Sequence, residues 1–401
     1  MNDIIFNRGE GGLGRALAGE DHICGFIAYF PQTDIPIELN DKIAVLYSFA
    51  ELESYGIVSG DSDAATHLAY EIKMLFEANS KAVVYLAVKG LLGTGEIGDP
   101  YGSDLSYIVD LQRFSEGKIR QAGVLNHYID FEVGQVVSLQ EACDILEAEH
   151  KPLSVVYSAK TLTNSVSSLP DLRAQDAKNV SVVIGADGAG LGYDLNQADD
   201  VYPTILGLAI GVLSTAKVNE NIGWVGRFNV AKNSINEFDV PALNLDGGGL
   251  LVKTLAPSAI QTLNDKGYIF LLKHIGTAGS YFNDSHTAKV VTSDYAYIEN
   301  NRTIDKAVRG VRTFLLPSLN APLYVNNDGT LTEDTIAGFK NDALRALEQM
   351  EREGEISAKS VVINPAQNVL SSSKLQITIK IVPVGVARNI EVNIGFAVKI
   401  K

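Results

Sequence analysis

Apolar positions follow one rhythm in the first two thirds of this chain and another in the last third. "HICGFIAYF" (22–30) and "KIAVLYSF" (42–49) are short apolar runs that predict strands. Over 61–79, Leu68, Ile72, Leu75 and Phe76 fall on one helical face, with Asp61 or Ser62 as cap. "KAVVYLAVKG" (81–90) predicts a buried strand, and "SLQEACDILEAEH" (138–150) a helix opened by a Ser138–Glu141 capping box. "PLSVVYSA" (152–159) and "NVSVVIGAD" (179–187) predict two more buried strands. "PTILGLAIGVLSTA" (203–216) is apolar nearly all round, which predicts a core helix with Pro203 in its first turn. Strands alternating with helices predict one α/β domain over 21–285, in which the Gly- and Asp-rich stretch 91–135 reads as an insertion.

After 285 the order changes. Ile304, Ala307, Val308, Val311 and Leu315 share one helix face, stopped by Pro317. A second helix over 332–353 turns Ile336, Phe339, Ala343, Leu347 and Met350 inward and ends at Gly354. "SVVINP" (360–365) is a strand, and strands over 375–382 and 390–400 follow. The order α-α-β-β-β predicts a smaller α+β domain over 286–385, with a strand-like arm over 386–401. A second arm, 1–20, carries the single apolar patch Ile4, Ile5 and Phe6. In the last segment Ile390, Val392, Ile394, Phe396, Val398 and Ile400 alternate with polar or small residues. An edge strand leaves a row of N–H and C=O groups open. Two partners suit it: the 375–382 strand of the same chain, or a sheet of another copy.

Composition narrows the function. At 401 residues the chain exceeds one ordinary core, and 46% hydrophobic with 20% charged residues fits a folded globular protein. A net charge of −15 disfavours nucleic acid and anionic membranes as partners. Residues 286–401 hold 14 Lys and Arg against 12 Asp and Glu, a net of +2, so the remainder carries −17 of that −15. Two cysteines in unlike contexts fit a reducing compartment. The N-terminus lacks a signal pattern, and the apolar run at 203–215 falls short of the roughly 20 residues of a membrane span. A soluble protein that no standard signal exports is expected.

Chemistry-bearing patterns fail one after another. "VSVVIGADGAGLG" feeds a strand into a glycine turn, but starting at Gly188 the dinucleotide fingerprint meets Gly190 and then Tyr193 at its sixth position. The histidines at 22, 67, 127, 150, 274 and 286 are scattered, and only His22 and Cys24 lie close. Asp187, Asp194, Asp199 and Asp200 lack a calcium-loop spacing. No Gly-x-Ser-x-Gly elbow occurs, and the Ser, Asp and His of "HIGTAGSYFNDSH" (274–286) are sequence neighbours of the kind that rarely form a triad. No enzyme and no cofactor are expected. The alternative reading is a soluble α/β enzyme or ligand-binding protein that uses the loop bounded by Gly185 and Gly192.

Three stretches together resemble the tail sheath proteins of contractile phage tails and related bacterial injection machines. "HICGFIAYFP...KIAVLYSFAELESYGI...AATHLAYEIKMLFEANSKAVVYLAVKG" (22–90) is similar to that family's opening. "LNDKGYIFLLKHIGTAGSYFNDSHTAKVVTSDYAYIENNRTIDKAVRGVRTFL" (263–315) resembles the turn, two strands and first tube-side helix. "EGEISAKSVVINPAQNVLSSSKLQITIKIVPVGVARNIEVNIGFAV" (353–398) resembles the closing domain. The likeness is strongest to the divergent sheath-like group of Bacteroidetes prophages and thinnest over 91–135. The family's middle domain is subtilisin-like in fold, and no triad is visible here.

The resemblance implies a virion structural protein of a phage tail or contractile injection system. Its subunits form six-fold rings stacked helically around a tail tube, between baseplate and terminator proteins. Terminal arms add strands to neighbours' sheets by β-augmentation. It implies location in the virion tail, or in the bacterial cytoplasm during assembly. Arg302, Lys306, Arg309 and Arg312 recur at three- and four-residue steps, which puts several on one side of a helix. That side is either a contact with acidic tube subunits or a solvated face.

Overall fold

In the computed structural model, which describes residues 19–91, 104–160, 165–198, 203–231, 237–245 and 249–396, the apolar runs of the first domain gather into one sheet. Its strands are β1 (Ile23–Phe30), β2 (Ile43–Leu46), β3 (Val83–Gly90), β4 (Gln121–Asp130), β5 (Ser154–Lys160), β6 (Val180–Val183) and, after three short strands, β10 (Tyr268–Ile269). The order is β10-β6-β5-β4-β1-β3-β2. All neighbours run parallel except β2, which is antiparallel to β3. A parallel sheet must be covered on both faces. Along β1, Phe26, Ala28 and Phe30 join one buried cluster while Ile27 and Tyr29 join another, so successive side chains feed two cores.

One core is closed by α1 (Asp63–Ala78) and α5 (Leu206–Thr215). Ser62 caps α1, its side chain accepting from the Ala65 N–H at 3.1 Å. Helix α5 starts three residues after Pro203, and Thr204 Oγ1 accepts from its first N–H. Glu71 of α1 supplies the carboxyl for that helix start. It accepts from Thr204 N at 2.9 Å, Thr204 Oγ1 at 2.6 Å and Gly207 N at 2.6 Å, a fully buried carboxyl at a helix N-terminus. The two helices touch so closely that a Cβ on Gly207 would lie 1.8 Å from the Glu71 carbonyl oxygen.

The other core is closed by α2 (Tyr107–Phe114), α3 (Val133–Ala148) and α6 (Pro257–Asp265). Two expectations change here. Helix α3 begins before Ser138, and Glu132 with Gln135 forms the capping box; the Glu132 N–H donates to Gln135 Oε1 at 3.0 Å. The stretch 91–135 is no mere insertion, because it supplies α2 and the central strand β4. That strand escaped notice because it interleaves Gln121, Gly123 and Asn126 with its apolar residues. Gly123 sits where a Cβ would come 3.1 Å from both Phe26 and Ile210, so close packing explains the broken pattern.

Beside this sheet lie β7 (Gly185–Asp187), β8 (Pro241–Leu243) and β9 (Leu250–Leu251), the hairpin β11 (Leu271–Leu272) with β12 (Tyr281–Phe282), and α4 (Leu191–Ala198). The last third builds α7 (Ile298–Leu315), α8 (Glu333–Arg352), β13 (Ile356–Ile363) and β14 (Ile377–Pro383). Thr332 caps α8 by accepting from Thr335 N at 3.3 Å, and Gly354 follows its end with φ +73°. The buried core here is small: Ala307, Ala343, Leu347, Met350, Ile356 and Val361.

Candidate assembly surface

The C-terminal sheet has two strands. β13 and β14 pair antiparallel from Ile356–Pro383 to Ile363–Ile377. Among the described residues, neither outer edge has a partner strand. Thus 375–382 hydrogen-bonds to the strand before it and, among the described residues, not to 390–396. Along β14, Ile377, Ile379 and Ile381 are half-buried while Thr378, Lys380 and Val382 are exposed, as one covered face requires.

Next to β14 lies an open apolar groove of about 500 Å³ lined by Ile304, Val308, Val311, Leu315, Ile379 and Ile381. The expected inward face of α7 is therefore only partly covered. Ala307 is buried, but Val308 is 49% exposed. In α8, Ala343, Leu347 and Met350 are buried, whereas Ile336 and Phe339 remain half-exposed.

The opposite side of α7 is polar and buried against the first domain. That corrects the expected basic stripe. Arg302 is 3% exposed, and its guanidinium donates to the Ala216 carbonyl at 3.2 Å and reaches the Asp21 carboxylate at 3.8 Å. Lys306 is paired inside the chain with Glu355 at 2.5 Å and Glu353 at 3.4 Å. Arg309 is half-buried, its lowered pKa set first by burial and opposed by the Asp305 and Asp21 charges. Burial likewise pushes the Asp305 carboxyl up to about 6. Only Arg312 of the four is exposed. Helical spacing finds these residues but does not tell which side faces water, because both sides of α7 meet protein.

A second charged cluster joins the domains. Arg388, beyond β14, donates through Nε to Asp284 Oδ2 at 2.9 Å and through Nη2 to Glu299 Oε1. Its Cζ lies 3.4 Å from the centre of the Tyr297 ring, a cation–π contact. Asn221 Nδ2 donates to Asp284 at 2.5 Å, and Ser285 Oγ donates to Glu299. Ser285 is thus a donor within an ion cluster. Burial carries His286 down to about 4, so its Nδ1 accepts from Arg173 at 2.5 Å and its Nε2–H donates to Asn264 at 2.9 Å. Burial raises the Glu299 carboxyl despite the Arg388 charge. Sequence reading missed this cluster. The one signal was a lone cation in the otherwise uncharged stretch 381–390.

Past Arg388 the chain touches little. Ile390 is 81% exposed, Val392 75%, Ile394 95% and Phe396 fully exposed. Residues 390–396 form no strand. Val398 and Ile400, and the N-terminal Ile4, Ile5 and Phe6, lie outside the described residues.

The glycine turn after β7 is packed rather than open. A Cβ on Gly188 would lie 2.7 Å from the Val240 carbonyl oxygen, and one on Gly192 would lie 2.7 Å from the Tyr70 hydroxyl. Asp187 stands at its base, 4% exposed, with Oδ1 accepting from the Ala189 and Phe238 N–H groups at 3.1 Å. Burial pushes its carboxyl up to about 7. Asp194 sits on α4, and Asp199 and Asp200 lie outside the described residues. Cys24, raised to about 11 by burial, donates weakly to the His22 carbonyl. Among the described residues no three His, Cys, Asp or Glu side chains are grouped to hold a metal, and no helix is long and apolar enough to cross a membrane.

The fold matches subunits of solved contractile assemblies. A chain of the contracted helical sheath of the anti-feeding prophage (AFP) aligns over 98% of both chains, with TM-score 0.59 and 16% identity. A chain of the six-fold symmetrised AFP baseplate aligns over 99% of both, with TM-score 0.58 and 15% identity. A chain of the contracted PVC sheath complex, from an extracellular contractile injection system, aligns over 99% of this chain and 98% of its own, with TM-score 0.59 and 13% identity. At such identities the likeness is one of fold. No curated protein matches the chain by sequence. Family models match it along most of its length: the DUF2586 N-terminal domain over 1–286 and the DUF2586 C-terminal domain over 294–401. The chain belongs to the DUF2586 family and has the fold of contractile tail sheath subunits.

Proposed function

We propose that this chain is the structural subunit of a contractile sheath, polymerising around an inner tube and contracting to drive it through a target envelope. The observation that carries the reading is the terminal segment. In a chain with a sheath subunit's fold, Ile390, Val392, Ile394 and Phe396 stand exposed, while among the described residues the two-stranded sheet has open edges and an apolar groove beside it. The segment of one copy completes the sheet of another. Main-chain hydrogen bonds supply affinity and alternate side chains set register. Each apolar side chain contributes roughly 1.5–3 kcal/mol if fully buried, before ordering costs are subtracted.

Contraction is then a change between two polymer arrangements of nearly rigid subunits, with no hydrolysis in the subunit. The acidic first domain faces outward and the C-terminal domain faces the tube. Tube, baseplate and terminator proteins are its partners, in a virion tail or in the bacterial cytoplasm during assembly. Electron microscopy of the purified protein tests this. The intact chain forms tubules or long polymers, alone or with its tube protein, and the chain lacking 387–401 does not. Persistent monomers of the intact chain under both conditions would sink the proposal.

A further inference from the structure

The arm's root is held by a site built for one side chain. Asp284 comes from the segment after β12 and Glu299 from the first turn of α7, and both point at the guanidinium of Arg388. The Glu299 side chain is 2% exposed and that of Asp284 11%. Tyr297 offers its ring face at 3.4 Å. Two anions so far from water need a cation, and the fork of donors on arginine reaches both at once where lysine would reach one.

The rest of the strap is loosely held. Between Pro383 and Ile390 the chain runs along a cleft of about 900 Å³ lined by Asn219, Trp224, His274 and Glu353. Val384 and Val386 are half-buried, and Gly385 has nothing within 4 Å of where a Cβ would stand. Arg388 is the only charged residue from 384 to 390.

We propose that Asp284, Glu299 and Tyr297 form a guanidinium latch in which Arg388 pins the C-terminal strap, so that the segment beyond residue 389 pivots from one fixed point on its own subunit. The link over 384–388 then has an anchored outer end. Only its bearing on the arm's role in a polymer rests on the sheath reading; the latch itself belongs to the isolated chain.

Elastase, which cuts after small aliphatic residues, reads the strap at 384–387 in the full chain by mass spectrometry. Arg388→Gln is expected to speed that cut at least about tenfold, the scale of a lost charged hydrogen bond. Arg388→Lys should fall between it and the wild type. In Arg388→Ala, millimolar methylguanidinium refills the carboxylate site but carries no bond to the strap, so resistance should stay lost; its return would overturn the latch. Equal cutting in wild type and Arg388→Gln, or faster cutting spread over the whole C-terminal domain, would overturn the latch. In the polymer, Arg388→Gln should still engage neighbours but give sheaths of irregular helical order. Wild-type chains that never polymerise would overturn the sheath reading while the elastase result still judged the latch.

Discussion

The seven-stranded sheet of the first domain covers both faces with its own helices, whereas the two-stranded sheet of the second has, among the described residues, open edges and a partly open apolar surface. The first domain closes two large buried clusters over the two faces of its sheet, and even the carboxyl of Glu71 is absorbed into capping α5. The second keeps a core of six buried residues and leaves Val308, Leu316 and Leu319 exposed around a groove. A region that stops short of closing its own core is suited to being completed by another chain.

The largest break in that comparison comes at the terminal segment. Changing Ile394 and Phe396 to Asp should abolish polymers in electron micrographs while leaving the melting temperature of the monomer within a degree or two of wild type, because both side chains are already in water. A large fall in melting temperature would show instead that the segment serves its own subunit.

Two core leucines sharpen the contrast. Leu75→Ala, in the closed core, should cost about 4 kcal/mol, and Leu347→Ala, equally buried but lining the open groove, about 2 kcal/mol, since a site next to open space relaxes more fully. Urea melts of the two variants decide the order, and a larger loss at Leu347 would contradict it.

The closed domain also carries a cost that shows with pH. Asp187 keeps its proton in the folded chain up to about pH 7, while an unfolded aspartate loses it near 4. A raised acid pKa means that stability is full in acid and falls as pH rises through about 7. Asp187→Asn should therefore gain on wild type between pH 5 and pH 8.5, by on the order of 2 kcal/mol, as measured by denaturant melts. A constant difference across that range would count against the raised carboxyl.

The smallest effect concerns the tube-facing proposal. Lys306→Glu would set a like charge beside Glu353 and Glu355, so a reversal there disturbs the subunit before any partner. Arg312→Glu is the cleaner probe. It should change stability by less than about 0.5 kcal/mol, so a loss of sheath-on-tube assembly in cosedimentation would report a contact. Unimpaired assembly would leave Arg312 on a solvated face.

Much of the fold was legible because single elements declare themselves. β1, α1, β3, β5 and α8 all lie within a few residues of where periodicity puts them, since their buried sides are continuous and their caps, Ser62 and Thr332, are local. β4 was hidden because a central strand pressed by Phe26 and Ile210 needs a glycine, and its buried amides break the apolar run. For the candidate site, the alternation from Ile390 onward was visible at once. The fate of the four basic residues on α7 was not, because the first domain packs against the polar side of the helix, and spacing alone does not say which side another domain covers.

By itself the sequence determined the two-part order of elements, the lack of recognisable catalytic patterns and an apolar alternation at the chain's end. These are local properties, written in spacing and side-chain type. Only the tertiary structure decided that β14 pairs with β13 and leaves 390–396 free, that Arg302 is buried, and that Asp284 and Glu299 converge on Arg388. The Arg388 cluster alone joins residues 89 and 104 positions apart. Long-range pairing of charges and strand edges follows from how whole elements pack, and no local pattern encodes it.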